Sequence, residues 1–373
     1  MKCALFLYCV TPHLKPLCDE LQSRMGCNNC MVIYLNEIDA TRVQIGWSPN
    51  DARKCLKYSD NSRLAKEVVE NADILICEVR DAALFKLRSR KGLKTFYTSE
   101  RWFKPQLGIA RMLHPKFLAM SITIGRLLNN DSNFFYLPVG IHAAEDMFRL
   151  VKIVSGNLSF LFKRPKLTFD PRPGGEVDGT KKMLMWAYYI QPSKKIADHR
   201  PQSIGERKVW KILWVGRLLK LKRIEDIIKA VQRLNRDGGV KFLLDIFGEG
   251  PDVGRLMKLV EASAEISLNP PVSNVKVREL MSEHDIYILS SDCHEGWGAV
   301  VGEALEEHML VFGTRDAGAS ATQLPETHLY NAGDVDGLCQ LLLSSQFLKS
   351  SGIGPWTPSV AADWLIKAMN KSA

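Results

Sequence analysis

The sequence predicts an α/β protein with two doubly wound, Rossmann-like domains that face each other across a cleft. Short apolar runs alternate with helical stretches from the first residues onward, which is the pattern of parallel sheets covered by helices. The alternation stops at a polar, proline-punctuated segment, residues 191–208, and begins again at Lys211. A length of 373 residues suits two domains of ordinary size.

The first domain is expected over residues 1–190. Its opening strand, Lys2–Val10, precedes a helix at Leu14–Arg24, and this order of elements begins a parallel sheet. Residues 164–180 are rich in Pro and Gly and predict a long loop. Further apolar strands are expected at Met31–Leu35, Ala72–Val79, Leu93–Thr98, Asn133–Val139 and Met183–Ile190.

Residues 191–208 have the composition of an interdomain linker, and the second domain is expected over residues 209–350. It starts with the strand Lys211–Arg217, which runs into a turn at Gly216. The helix Ile224–Asn235 follows, with its apolar residues on one face at the period of a helix packed on a sheet. The later elements are a strand at 242–247, helices at 252–264, 275–283 and 299–308, strands at 285–291 and 309–313, and a small-residue loop at 316–321.

The composition favours a globular protein over a membrane-spanning one. Hydrophobic residues make up 46% of the chain, enough for a core in each domain, yet no apolar run approaches the roughly 18 residues that span a bilayer. Nine cysteines, several in apolar runs, fit reduced thiols in the cytoplasm, and Cys27-Asn-Asn-Cys30 without a second pair predicts a surface turn rather than a metal site. We therefore expect a cytoplasmic protein without a bound metal.

The net charge of +9 is unevenly distributed. Lys and Arg outnumber Asp and Glu by 12 over residues 1–205, and the rest of the chain is slightly acidic. The basic runs Lys86–Lys94 and Lys163–Lys166 fit contact with anionic lipid or an anionic acceptor, or equally a solvated surface. No nucleic-acid-binding motif accompanies the charge, so a nucleic acid partner is not expected.

The most informative stretch is Glu295-Gly-Trp-Gly-Ala-Val-Val-Gly-Glu303, which follows an apolar strand and opens a helix. Gly296 and Gly298 allow a ligand to approach the backbone closely, and a helix start attracts phosphate. A carboxylate on each side of such a site suits a nucleoside diphosphate sugar, which carries hydroxyls at both ends of its diphosphate. The alternative is an ordinary strand–loop–helix with two solvated glutamates.

Two cations lie where the first strand of the second domain ends. Arg217 and Lys222 fall at the carboxyl end of the strand, where ligands bind in such sheets. Arginine can grip a diphosphate by paired hydrogen bonds, and lysine neutralises it as a point charge. Taken alone, Lys222 is better interpreted as one more surface lysine in the run Lys220–Arg223.

Together these residues resemble the retaining glycosyltransferases of family 4, also called group 1, which have the GT-B fold. The resemblance implies that Glu295 contacts hydroxyls of the donor sugar, that Glu303 holds the ribose, and that Arg217 and Lys222 grip the pyrophosphate. It further implies that the last helix, 356–371, packs back on the first domain. The donor-binding residues implied by the same resemblance are Gly216, Gly248, Gly250, Val272, Gly296, Trp297, Gly298 and Ala299.

The first domain departs from the family pattern at two places. The loop Thr11–Pro16 lacks the family's glycines, and His13 is a candidate for a side-chain contact there instead. The family's histidine after a later strand is absent, and Glu100 or Arg101 occupies its place. His142, where a strand meets a helix, is a further candidate or a structural hydrogen-bonding residue.

The resemblance implies transfer of a sugar from a nucleoside diphosphate donor, with UDP or GDP as the expected nucleotide. The transfer is expected to retain the anomeric configuration and to need no metal. The expected acceptor is a glycan or a lipid-linked polysaccharide precursor, reached by a cytoplasmic protein that visits the inner face of the membrane. Two alternatives remain: a nucleotide-sugar epimerase on the same architecture, and a non-catalytic partner protein that binds sugar nucleotides.

Overall fold

The computed structural model describes residues 2–40, 43, 55–104, 108–163, 165–190, 209–261, 263–345, 348, 352, 354 and 356–370. These residues divide into two compact units, each built on its own sheet. The first unit holds the described residues up to 190 together with the last helix, and the second holds the described residues from 209 to 354. The expected linker, 191–208, lies outside the described residues.

The first unit is built on an eight-stranded sheet with the order β3-β2-β1-β4-β5-β6-β8-β7. All neighbours pair in parallel except β7 and β8. The chain therefore changes direction across the sheet between β1 and β4, and side chains that follow these two strands meet at one edge. The strands are β1 Cys3–Leu7, β2 Cys30–Tyr34, β3 Cys55–Lys57, β4 Ile74–Cys77, β5 Lys94–Ser99, β6 Phe134–Pro138, β7 Glu176–Val177 and β8 Thr180–Leu184.

The helices of this unit pack on the sheet through large apolar side chains, including the fully buried Phe85 and Tyr97. The last helix, α12, belongs here: Trp364 on it packs edge-on against Phe96, and Arg24 forms an ion pair with Asp363. The helices are α1 Lys15–Met25, α2 Ser62–Asn71, α3 Ala82–Arg90, α4 Pro115–Asn130, α5 Ile141–Val154 and α12 Pro358–Asn370, with single 3-10 turns at Gly108–Leu113 and Leu158–Leu161.

The second unit is built on a six-stranded sheet with the order β11-β10-β9-β12-β13-β14, paired in parallel throughout. Isoleucines on one face of α6, such as Ile227 and Ile228, are fully buried against it. The elements are β9 Val209–Val215, α6 Ile224–Asp237, β10 Lys241–Phe247, α7 Val253–Val260, β11 Ile266–Asn269, α8 Asn274–Glu283, β12 Ile286–Leu289, α9 Val300–Glu306, β13 Leu310–Thr314, α10 Gly318–Gln323, β14 Leu329–Tyr330 and α11 Val335–Ser344.

The structure corrects several sequence predictions. Part of the expected loop at 164–180 is the strand β7, and the expected loop at 316–321 contributes most of the helix α10. The basic run Lys86–Lys94 is not a fully solvated surface, because Arg88 is completely buried and donates to the carbonyls of Val69, Ala72 and Lys94. Burial lowers the pKa of Arg88 to about 10.

Candidate active site

The candidate site lies at the carboxyl edge of the second sheet, between β9 and β12. These strands are neighbours in the sheet although two strands separate them in sequence, so the chain reverses its direction across the sheet here. Ligands of doubly wound folds bind at such a reversal point. The loop after β9 carries Arg217 and Lys222, and the loop after β12 carries Glu295.

Glycines allow the loops after β9 and β10 to touch. The Leu218 N–H donates to the carbonyl of Glu249 at 2.7 Å, and the Gly216 N–H donates to the carbonyl of Phe247 at 3.1 Å. A Cβ atom at Gly248 would fall 1.9 Å from the carbonyl oxygen of Gly216, and one at Gly250 would fall 2.3 Å from that of Leu218. Only glycine fits at these two positions.

Lys222 and Glu295 form an ion pair between the loops that follow β9 and β12. Both side chains are largely buried, with exposed fractions of 18% and 14%. Ser291 donates to the same carboxylate oxygen of Glu295 at 2.9 Å, and Ser290 donates to the backbone carbonyl of Lys222 at 2.6 Å. Two consecutive buried serines at the end of β12 thus hold the two members of the pair.

Arg217 differs from Lys222. Its side chain is exposed, and among the described residues it has no hydrogen bond or ion pair. Its backbone is nevertheless fixed, because its carbonyl accepts from the Leu219 N–H at 2.9 Å. A cation on an anchored loop, without a protein carboxylate to neutralise it, is available to an anionic ligand.

Glu303 is buried, with 6% of its surface exposed, in the helix α9. Burial raises the pKa of its carboxyl to about 7, while the Arg278 guanidinium and a hydrogen bond from the Asn274 side chain act in the opposite direction. Arg278 also donates to the Glu303 carbonyl at 3.2 Å and pairs with Glu307 at 2.8 Å. The α8 helix thus holds both the backbone and the carboxyl of Glu303.

Glu295 and Glu303 both influence one buried hydroxyl. After burial, which is the largest cause, these two carboxylates are what raises the pKa of the Tyr287 hydroxyl on β12. The two acidic side chains that the sequence singles out are therefore both within electrostatic range of one buried group.

The loop from Gly296 to Ala299 is fixed by a backbone hydrogen bond from α10. Trp297 is buried, and its carbonyl accepts from the Ala319 N–H of α10 at 2.8 Å. Gly298 has φ +91, and a Cβ there would fall 2.6 Å from Leu289. Helix α9 begins only at Val300 and has seven residues, fewer than the sequence predicts.

Val272, expected beside the nucleobase, is half-buried and immediately precedes Ser273, the residue that caps α8.

One group of side chains next to Glu295 could hold a metal ion. Asp292, Cys293 and His294 bring potential ligand atoms within 4.8 Å of one another. The Asp292 carboxylate lies 2.8 Å from Nδ1 of His294 and accepts the His294 backbone N–H at 2.9 Å. The sequence does not predict this group, since its three residues are consecutive and lack metal-ligand spacing.

The candidate site residues of the first unit form two groups in the structure. His13 stacks on Tyr188 with ring centroids 6.4 Å apart, and Tyr188 donates to Glu100 at 3.1 Å. Arg101 lies 3.6 Å from Asp146, and both are buried.

His142 lies within hydrogen-bonding distance of Glu145, at 3.0 Å, in the first turn of α5. His13 and Glu100 are thus joined through Tyr188, and Arg101 and His142 each contact an acidic residue of α5.

Five further residues contact the candidate residues without being predicted from the sequence: Ser290, Ser291, Arg278, Asn274 and Tyr188. The two serines carry a weak signal, because they follow a buried strand directly. Arg278 and Asn274 carry none, since their relation to Glu303 depends on how α8 packs.

Comparisons with known proteins bear on the fold and on the family of one segment. Residues 196–325 match the family described as Glycosyl transferases group 1. An uncharacterized glycosyltransferase of Methanocaldococcus jannaschii is 37% identical over 100 residues, which are 24% of this chain and 26% of that protein. The chain thus spans about a quarter of the length of that relative.

Two solved structures resemble the whole chain. Anabaena HepE in complex with UDP aligns with a TM-score of 0.61 at 10% identity, covering 99% of both chains. WaaG, a glycosyltransferase involved in lipopolysaccharide biosynthesis, aligns with a TM-score of 0.56 at 13% identity, covering 99% of this chain and 96% of its own. The chain therefore has the two Rossmann-like domains of the GT-B glycosyltransferases, and its residues 196–325 match the group 1 glycosyl transferases.

Proposed function

We propose that the protein is a glycosyltransferase that moves a sugar from a nucleoside diphosphate, UDP or GDP, to a glycan or lipid-linked polysaccharide precursor. The observation that carries the proposal is the presence of two cations in different states on the loop after β9, the strand next to β12. Arg217 is exposed without a protein partner among the described residues, and Lys222 is held beside Glu295. The binding of UDP by HepE supports a nucleotide donor.

In this proposal Arg217 and Lys222 stabilise the negative charge that develops on the leaving diphosphate, as preorganised charges do in other active sites. Glu295 orients the sugar, and Glu303 accepts hydrogen bonds from the ribose. The transfer retains anomeric configuration and needs no metal, as the family resemblance implies. The turns at Gly248 and Gly250 bring backbone close to the nucleoside, and the loop at Val272 contacts the base.

The test is a thermal-shift screen with UDP-, GDP-, ADP- and TDP-sugars. A ligand at a hundredfold excess over its Kd stabilises the folded state by about 2.7 kcal/mol, so the true donor stands out from the others. Arg217→Ala should abolish that shift. Arg236→Ala is the matched control, since Arg236 is an exposed arginine at the far end of α6 in the same unit.

If Arg217→Ala and Arg236→Ala respond alike to every donor, the diphosphate assignment is wrong. Once a donor is found, an altered sugar that is still attached to the nucleotide and forms without acceptor identifies an epimerase. The rival with a specific observation behind it is the non-catalytic partner, because His13, Glu100, Arg101 and His142 all contact other side chains of the first unit. The non-catalytic partner is favoured if the protein binds the donor but neither hydrolyses it nor transfers its sugar to any of a panel of acceptors.

A further inference from the structure

Three consecutive side chains in the loop after β12 bring potential metal ligands together. The Asp292 carboxylate, the Cys293 thiol and the His294 imidazole place their ligand atoms within 4.8 Å of one another. No other group of three or more His, Cys, Asp or Glu side chains in the described part of the chain meets this condition. All three residues are half-buried, so an ion from solvent can reach them.

The backbone of this loop explains why three neighbouring side chains converge. Consecutive side chains of an extended chain point in opposite directions, so they meet only where the chain turns. Here the Asp292 carboxylate accepts the His294 N–H at 2.9 Å, and the Asp292 carbonyl accepts the Glu295 N–H at 3.0 Å. The Asp292 N–H donates to the Leu221 carbonyl at 2.9 Å. The turn is thus anchored before an ion binds, which lowers the entropy cost of forming the site.

The distances within the group are close to those of a zinc site. Zinc bonds of about 2.0–2.3 Å to nitrogen, oxygen and sulfur put two ligand atoms of a tetrahedral ion roughly 3.3–3.7 Å apart. Nδ1 of His294 lies 2.8 Å from Oδ1 of Asp292, and the Cys293 sulfur lies within 4.8 Å of a ligand atom of each. Small side-chain rotations therefore place all three groups on one ion.

The chemistry of the three groups selects the class of ion. A thiolate and an imidazole favour zinc and similar ions over magnesium and calcium, which prefer oxygen ligands. The thiolate and the carboxylate together balance the two positive charges of the ion. Two cations interact with this turn or with Glu295 beside it, and each is paired with a carboxylate: Arg223 with Asp226 at 2.7 Å, and Lys222 with Glu295.

We propose that Asp292, Cys293 and His294 bind one Zn²⁺ ion, with the fourth position of the tetrahedron open to water. Three protein ligands and one exchangeable position make up a zinc site that is open to solvent. The pair Cys27 and Cys30 is a weaker candidate, because it offers two thiols only and Cys30 is fully buried. The ion is separate from the proposed sugar transfer, which uses no metal, and its binding does not depend on that function.

The test uses Co²⁺ in place of zinc, because cobalt bound to a thiolate shows a charge-transfer absorption that an oxygen-bound ion lacks. The full-length, reduced protein should show this absorption, saturating at one ion per chain, and Zn²⁺ should remove it by displacing the cobalt. Cys293→Ser should abolish the absorption. His294→Asn keeps an N–H donor but removes the imidazole, and it should weaken zinc binding at least about tenfold in competition with a coloured chelator. Loss of a residue that only orients a metal ligand already costs about 10–100-fold in affinity.

Cys27→Ser is the matched control, because Cys27 is also a half-buried thiol but lies in the first unit. It should keep the cobalt absorption and the zinc affinity of the parent. Circular dichroism and thermal unfolding in the absence of metal establish that each variant is folded. Parent protein without the thiolate–cobalt absorption overturns the proposal, as does a Cys293→Ser variant that retains it. Loss of the absorption in Cys27→Ser instead would assign the ion to the Cys27 and Cys30 pair.

Discussion

Lys222 and Glu295 are 73 residues apart in sequence and form an ion pair whose two members are each anchored by a serine. The two serines are adjacent and fully buried, yet they act on different atoms: Ser291 on the Glu295 carboxylate, Ser290 on the Lys222 backbone. In the proposed reaction Glu295 meets the sugar and Lys222 meets the diphosphate. The serines therefore offer a way to separate the two contacts.

Ser291→Ala should weaken binding of the nucleotide sugar without changing binding of the free nucleoside diphosphate. The reason is that the lost hydrogen bond orients only the sugar-binding carboxylate, and a hydrogen bond to a charged group contributes about 1.5–3 kcal/mol, or tenfold and more in affinity. Titration calorimetry with UDP and with UDP-glucose, or with whichever donor the screen identifies, measures both affinities.

Ser290→Ala is the control for this prediction, because it removes a buried hydroxyl from the adjacent position but leaves the carboxylate contact intact. It should weaken the nucleoside diphosphate and the nucleotide sugar equally. Equal losses from both variants would show that the serines only support the fold of the loop.

The raised pKa of Glu303 predicts a pH dependence of donor binding. A carboxylate accepts two ribose hydroxyls better than a carboxylic acid does, so affinity should rise with pH as Glu303 ionises near pH 7. A nucleotide sugar is the appropriate ligand, because its diphosphate is esterified at both ends and lacks the phosphate ionisation near pH 6. Calorimetry between about pH 6 and 8 should show this rise in the parent and a weaker, flat profile in Glu303→Gln.

The Glu303 carboxyl should also affect the stability of the folded protein, which should fall as the pH rises, whereas donor affinity rises. Its folded-state pKa of about 7 lies above the unfolded value of about 4.3, so the folded protein binds more protons between these limits and loses stability as pH rises through them. The Tm of Glu303→Gln minus that of the parent should therefore grow from about pH 4 to 7 and then level off. A difference that stays constant between about pH 5 and 7 would mean that Glu303 is already ionised in the free protein and that its pKa is not raised.

The fold was predictable because long apolar strands and amphipathic helices repeat with a regular period. The strands absent from the sequence predictions are β3, β7, β11 and β14, which are short and lie at or next to the edges of their sheets, whereas the equally short β4 and β12 are central and lie in buried apolar runs. The site was predictable where one loop carries it, as at Glu295 to Glu303. Lys222 looked like a surface lysine because its partner lies in another loop, and Arg88 looked like a surface cation because its carbonyl partners come from α2 and β5.

His308 is a point of local backbone strain. It follows Glu307, the C-cap of α9, with φ +58, in the left-handed region that glycine adopts most readily, and its side chain is exposed. His308→Gly should raise the free energy of unfolding by about 0.5–1 kcal/mol, since the relief of strain exceeds the added entropy of the unfolded chain. His308→Ala keeps the strain and should bring no gain. Denaturant titration compares the three proteins, and a less stable His308→Gly would contradict the argument.

The close approach of Gly248 to the Gly216 carbonyl leads to a prediction for both stability and nucleotide binding. Gly248→Ala puts a methyl group 1.9 Å from a backbone oxygen, so the loops after β9 and β10 must separate. We expect a loss of stability of at least about 2 kcal/mol, as for other overpacked sites, together with loss of nucleotide binding, because Arg217 follows Gly216 directly. Urea titration and calorimetry measure the two effects.

Gly254→Ala is the matched control, since Gly254 lies in α7 six residues further along and a Cβ there would meet nothing within 4 Å. It should stabilise the protein by about 0.5–1 kcal/mol, because alanine favours the helix more than glycine does. Nucleotide affinity should be unchanged. If Gly248→Ala is tolerated as well as Gly254→Ala, the two loops are not in contact in solution, and the position assigned to Arg217 at the crevice has to be abandoned.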